Sequence, residues 1–314
     1  MKVIRDISEF VYDKKTAVTV GTFDGVHLGH RKIIDKLNAV KNSKEQRSVV
    51  ITFDPHPQIV LRNRDRDIKI LSTLDEKLEI FGKLDIDITY VINFTKEFSE
   101  TKAEDFYVNY LLKKIGMSDL ILGYDHMFGR NREGNFDTLK ELSAEFDFTI
   151  DKVDEYKPEG HHVSSSEIRH LLEKGEVSKA SLLLGREYSL SGTVTEGKKL
   201  GRELGYPTAN IKPDCGYKLI PAIGVYSVTA VLEGIENFGM MSIGKNPTVS
   251  DDDTIKIEVN IFSFDKDIYG KKIEIKFNEY LRDEIKFDTI EELKVQLLKD
   301  KINCEEIFAK IKIN

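Results

Sequence analysis

Two histidines three residues apart carry the chemistry this sequence offers first. Residues 21–30 read GTFDGVHLGH, between a short β-branched run and an amphipathic segment. That places His27 and His30 at the opening of a helix, where free backbone N–H groups and the positive end of the helix dipole favour a phosphate. Gly21 and Gly25 allow the backbone to come close to a ligand. Two imidazoles at that spacing can point at one anion and donate N–H bonds as charge builds during group transfer.

A second constellation, VSSSEIR, occupies 163–169. Ser164 and Glu167 have the spacing of a capping box. The hydroxyls of Ser165 and Ser166 then face outward, with Arg169 a turn further on. Hydroxyls, N–H groups and a guanidinium in one place suit a leaving pyrophosphate. FDPHP (53–57) follows a strand, and its prolines are expected to hold the backbone extended, fixing the directions of Asp54 and His56. In GYDHMFGRNREG (123–134), Asp125 at a strand end could reach a ribose hydroxyl or an adenine-side group.

The second half offers a different site. Residues 197–210 read GKKLGRELGYPTAN. Gly197, Gly201 and Gly205 recur every fourth residue, a backbone suited to wrapping a ligand because repeated glycine disfavours helix. Pro207 opens an extended stretch in which Thr208 and Asn210 face the same way. A hydroxyl beside an amide oxygen suits a hard cation such as Mg²⁺. In TIKIEVNIF (254–262) the apolar residues alternate with Lys256, Glu258 and Asn260. If that polar face lines the same cleft, Glu258 is a candidate general base.

The elements that must hold these groups alternate in the first half. Strands are expected at 16–20, 48–53, 88–94, 119–125 and 148–153, and helices at 31–40, 76–84, 103–115, 136–146 and 166–175. Alternation implies parallel pairing with right-handed crossovers, and continuous apolar strands fit a sheet covered on both faces. The first domain is therefore read as a doubly wound α/β fold, with ligands beyond the carboxyl ends of its strands. Past about residue 185 strands follow one another with few helices, as in a small antiparallel barrel or sandwich. One helix closes the chain at 288–300, with Asp288 and Glu291 at capping-box spacing. The boundary is placed within 180–188, giving domains 1–183 and 184–314.

Composition narrows the class. The chain has 314 residues, 40% hydrophobic and 32% charged, with a formal charge of −7. That is a globular balance, and it argues against a dedicated nucleic-acid binder. Cys215 and Cys304 are too far apart for a CxxC, so neither a disulfide framework nor a zinc site is suggested, and free thiols fit a reducing cytoplasm. The first residues, MKVIRDISEFVYDKK, carry charges where a signal peptide needs an apolar core. No apolar run approaches the roughly 20 residues that span a bilayer.

Taken in order, GTFDGVHLGH, FDPHP, GYDHMFGRNREG and VSSSEIR resemble the prokaryotic bifunctional riboflavin kinase/FAD synthetase family. YSLSGTVTEGKKLGRELGYPTANI, PAIGVYSV, SIGKNPTV, IEVNIF and YLRDEIKFDTIEEL extend the resemblance through the second half. It implies a nucleotidyltransferase domain followed by a six-stranded antiparallel barrel with a C-terminal helix. It also implies two reactions, ATP-dependent phosphorylation of riboflavin to FMN and adenylylation of FMN by ATP to FAD with release of pyrophosphate, both helped by Mg²⁺.

By the same resemblance Gly21, Phe23, Asp24, His27, His30, Asp125, Ser164, Ser165 and Arg169 contact ATP in the first domain, with Asp54, His56 and Phe128 on the flavin side. Gly197, Lys198, Gly201, Gly205, Pro207, Thr208 and Asn210 hold ATP in the second, Thr208 and Asn210 hold the metal, and Glu258 is the base. The sequence departs from the family pattern at His126, Ser166, Ser242 and Asn260. Riboflavin, FMN and ATP are the expected partners, with no nucleic acid, membrane or obligatory protein. Three other readings compete: an adenylyltransferase with a flavin-binding barrel, a nucleotidyltransferase for another nucleotide, and a non-catalytic flavin sensor. Intact PTAN, FDPHP and Glu258 weigh against them.

Overall fold

The structure, a computed structural model, describes residues 1–61, 68–124, 129, 134–160, 162–196, 201, 205–245 and 255–311. It divides into two compact units, Met1–Ser165 and Ser166–Asn314. The boundary expected at 183/184 lies at the end of a helix that follows this division.

The first unit is built on six strands: β1 (Lys2–Ile4), β2 (Thr16–Val20), β3 (Arg47–Asp54), β4 (Ile88–Asn93), β5 (Met117–Gly123) and β6 (Thr149–Val153). All pair in parallel, in the order β1-β4-β3-β2-β5-β6. The helices are α1 (Leu28–Lys44), α2 (Pro57–Leu61), α3 (Leu74–Gly82), α4 (Lys96–Ser99), α5 (Ala103–Asp105, continuing as the π-helix Phe106–Ile115) and α6 (Phe136–Phe146). Side-chain alternation explains why both faces are covered. On β3, Val49, Ile51 and Phe53 join Val18, Val20, Phe106 and Leu111 in one core, while Val50 joins Ala17, Ile34, Leu37 and Phe81 in the other. The doubly wound reading is borne out. From β2 the chain builds outward through β3 and β4, then returns to place β5 on the other side of β2, so the carboxyl end of β2 lies at the switch point where such sheets bind ligands.

The second unit opens with α7 (Ser165–Glu173) and α8 (Val177–Leu184). Its strands are β7 (Tyr188–Thr195), β8 (Ala209–Pro213), β9 (Gly224–Leu232), β10 (Ile235–Lys245), β11 (Ile255–Ile261) and β12 (Lys272–Arg282). They close an antiparallel barrel in the order β10-β11-β8-β7-β12-β9, so no edge is left open. A single helix, α9 (Ile290–Ile311), follows. It packs on β10 and β12 and buries Cys304 and Phe308 against Met240.

Four local expectations are corrected. The FDPHP stretch is not extended beyond Asp54. Pro57 opens α2, where its missing N–H costs nothing because first-turn amides have no partner inside the helix. Ser165 does not face outward with Ser166, because its hydroxyl donates to the Asp24 carbonyl at 2.9 Å. At the start of α9 the cap is Thr289 rather than Asp288. The Thr289 hydroxyl accepts from the Glu292 amide at 3.2 Å, and Glu292 reaches back to the Asp288 amide at 3.1 Å. α9 also runs well past residue 300, and α2, α4 and α8 lacked a periodic signal long enough to find them.

Candidate active sites

The loop between β2 and α1 is the most constrained stretch of the first unit. Phe23, Gly25 and Val26 have φ of 48°, 82° and 40°. A β-branched residue in the left-handed region is rare, and such strain gathers at functional sites. What holds the loop is visible. Asp24, 1% exposed, accepts the Leu71 amide at 2.9 Å and the Ser72 amide at 3.0 Å. The Gly25 amide donates to the Ser72 hydroxyl at 2.8 Å. A carboxylate accepting buried N–H groups is a strong anchor. The Asp24 side chain thus shapes the loop.

The loop delivers the two histidines to the amino end of α1. His27 is the N-cap, and its Nδ1 accepts the His30 amide at 3.3 Å. An Nδ1 that accepts leaves the ring proton on Nε2. The rings of His27 and His30 stack with centroids 3.6 Å apart and planes 14° apart. Phe23, also expected to meet ATP, is 2% exposed, and its ring stands edge-on to His30 at 5.2 Å and to Phe81 at 5.7 Å. It buttresses His30 from the core. Gly29 leaves room for the stack: a Cβ there would lie 3.2 Å from the His27 ring, which would have to shift by a few tenths of an ångström. A Cβ on Gly21 would lie 3.2 Å from the Phe23 ring.

Ser165 is tied to this loop through its bond to the Asp24 carbonyl. α7 begins at Ser165, which leaves Ser164 at the N-cap position. Arg169, half-buried, is one turn along from Ser165 on the same helix face. Asp54 ends β3, and His56 is 9% exposed, its Nδ1 accepting the Gln58 amide at 3.2 Å. Asp125, His126 and Phe128 lie outside the described residues. The sequence reading missed Lys77, which lies buried behind this site. In EKLEIFGKL it carries no signal that separates it from a solvated helix face.

In the barrel, Ser242, Glu258 and Asn210 stand directly opposite one another across β10, β11 and β8. Directly paired residues share a face, and β11 turns Ile257, Val259 and Ile261 to the buried side. The polar row therefore lies on the other face. Glu258 accepts the Thr208 hydroxyl at 3.5 Å and pairs with Lys256 at 2.7 Å. Asn260 fixes the PTAN stretch, its amide donating to the Pro207 carbonyl at 2.7 Å. Gly201 accepts the Tyr206 amide at 2.8 Å, and a Cβ on it would sit 2.3 Å from the Tyr206 carbonyl oxygen. Gly205 has φ of 83°. Gly197 and Lys198 lie outside the described residues.

The donor set near Glu258 is a hydroxyl, an amide oxygen and one carboxylate. Among the described residues no group of three His, Cys, Asp or Glu could hold a metal. That set fits Mg²⁺, which keeps few protein ligands and relies on substrate phosphates for the rest.

A strained loop that sets two histidines at a helix start on a parallel sheet, and a closed barrel with a carboxylate beside a hydroxyl and an amide, fit a two-domain enzyme of phosphate chemistry. Residues 10–167 match the family model for FAD synthetase, and residues 184–308 match that for riboflavin kinase. The chain belongs to the bifunctional riboflavin kinase/FMN adenylyltransferase family, and has both activities. The family member from Listeria monocytogenes is 40% identical over 95% of this chain and 94% of its own. The one from Bacillus subtilis is 34% identical over 95% and 94%, and that from Escherichia coli K12 is 31% identical over 98% of both. A solved structure described as a macrolide-efflux protein from Streptococcus pneumoniae superposes with a TM-score of 0.87 at 29% identity, covering 96% of this chain and 98% of that one. Among the described residues no helix is long and apolar enough to cross a membrane.

Proposed function

We propose that the first unit makes FAD at the His27–His30 loop and the barrel makes FMN at Glu258. In the first reaction an FMN phosphate oxygen attacks the α-phosphorus of ATP and pyrophosphate leaves. His27 and His30 donate to the phosphate oxygens as charge moves toward the leaving group. Backbone amides of the loop, the α1 dipole, Ser164 and Arg169 add to that field. Ser165 and Asp24 act one step back, by fixing the loop. Asp54 and His56 are the flavin-side residues at the neighbouring strand end. The observation that carries this reading is the stacked imidazole pair at the amino end of α1.

In the second reaction Glu258 takes the proton of the terminal ribityl hydroxyl of riboflavin, whose oxygen attacks the γ-phosphorus as ADP leaves. Thr208 and Asn210 would hold Mg²⁺, which supplies charge neutralisation at the phosphates. Gly201, Gly205 and Pro207 shape the backbone under the nucleotide. Both cysteines are free, which fits a reducing cytoplasm. Small molecules are read as the only obligatory partners.

Product analysis with riboflavin, FMN and MgATP tests both assignments in one chain. His30→Ala should stop FAD formation and spare FMN formation. Glu258→Ala should do the reverse. An unchanged FAD rate in the first variant, or an unchanged FMN rate in the second, rejects that site.

A further inference from the structure

Lys77 is 3% exposed, an unusual place for an ammonium group. It comes from α3, and its Nζ donates to the Thr22 carbonyl at 3.2 Å, the Thr52 hydroxyl at 3.1 Å and the Phe53 carbonyl at 3.3 Å. An ammonium has three protons, so the count is complete. The acceptors lie where β2 and β3 part. Beside the bond from the Thr52 hydroxyl to the Thr22 carbonyl at 3.1 Å, the last backbone link between the two strands is the Gly21 amide to the Ile51 carbonyl at 3.0 Å. Beyond it Thr22 enters the loop that ends at His27, and Phe53 leads into Asp54 and His56.

We propose that Lys77 is a positioning residue for adenylyl transfer, a charged rivet that holds the histidine loop and the FDPHP segment at a fixed spacing. A core needing only apolar filling at this point would place a Leu or Met there, since burying an ammonium without need is costly. Three acceptors from two motifs converge on one cation instead. Two of them are backbone carbonyls where the parallel strands separate, and one of these, Thr22, also accepts the Thr52 hydroxyl at 3.1 Å. The carboxylates that act on the ammonium are Asp24, from the loop after β2, and Asp54, at the end of β3.

Burial pulls the Lys77 ammonium down to about 8, against the opposing pull of Asp24 and then Asp54. Below that pH all three bonds stand. Above it one donor is lost and the cation no longer offsets the two carboxylates. Adenylyl transfer therefore has an alkaline limb that riboflavin phosphorylation, catalysed by the barrel of the same chain, does not share. The inference rests on the assignment of the 21–30 loop to adenylyl transfer, which the His30→Ala assay decides separately.

The test measures kcat and KM for both reactions on the full chain from about pH 6.5 to about pH 9.5. Wild type should lose adenylyl-transfer kcat near pH 8 while its phosphorylation rate holds. Lys77→Met should lower adenylyl-transfer kcat at neutral pH by about tenfold or more and abolish the limb, with riboflavin phosphorylation changed by less than about twofold. Lys77→Arg, which keeps the charge at every pH used, should recover part of the rate without the limb near 8. A Met variant that melts earlier but keeps the wild-type kcat and pH profile overturns the proposal. Should that variant not fold, the wild-type profiles decide alone: parallel limbs for the two reactions, or none for adenylyl transfer, overturn it.

Discussion

The imidazole rings of His27 and His30 lie face to face, 3.6 Å between centroids and 14° from parallel. One ring caps the helix that carries the other, and Phe23 holds the second ring from below. Their mutual position is therefore set by the first turn of α1 and by one glycine.

Gly29→Ala tests that dependence. Its new Cβ would press on the His27 ring at 3.2 Å. FAD formation should fall roughly 10- to 100-fold, as a displaced catalytic group commonly costs. The helix itself should not suffer, because Ala is favoured over Gly by up to about 1 kcal/mol. A melting temperature at or above wild type, with slow adenylyl transfer, is the expected pair of results.

Gly201→Ala is the corresponding probe of the barrel. A Cβ 2.3 Å from the Tyr206 carbonyl oxygen and 3.2 Å from the Thr208 hydroxyl cannot be accommodated without moving PTAN. Riboflavin phosphorylation should lose roughly 10-fold or more in kcat/KM. Conversion of supplied FMN to FAD should change by less than about twofold, because the substitution lies in the other unit.

The barrel and its last helix share a buried ion pair. Arg282 meets Asp300 through Nε at 3.0 Å and Nη2 at 2.7 Å, and Gln296 adds a bond at 2.8 Å. Asp300 is 1% exposed. Asp300→Ala should destabilise the unit by about 3–5 kcal/mol in urea unfolding, since it strands a buried guanidinium. Replacing both partners with Met and Leu should recover most of that loss.

Acid should weaken the first unit through Asp119. Burial would raise this carboxyl, but bonds from Lys44, Thr149, Gln46 and Ser118 together hold it below the ordinary carboxylate range. The unfolded chain then binds this proton more readily than the folded one, so stability is full above about pH 4 and lost as pH falls through the folded value. Asp119→Asn should be less stable at neutral pH, by about 1–3 kcal/mol. It should also show a flatter decline below about pH 4 in urea titrations.

Much of this architecture could be read from the sequence. Leu139 and Leu142 share one face of a helix placed at 136–146, and β-branched runs located β2 and β3. The histidines could be placed at the opening of α1 because a strand, a glycine turn and a helix surround them. Other parts depended on distant partners. Nothing local marks Asp24 as an anchor for residues 71 and 72, or Ser165 as its latch. Lys77 sits in an amphipathic stretch where a lysine ordinarily meets water. Its burial follows from the parting of two strands, which no window along the chain contains. The three-residue β1 is too short to show a period.

The bond from Ser165 to the Asp24 carbonyl spans 141 residues. A ribosome that has just released the histidine loop must extend the chain by nearly the whole first unit before the latch emerges. The loop is thus among the earliest parts of the first unit to be translated and among the latest to be braced. A nascent chain halted before that serine carries both imidazoles but not the brace beneath them.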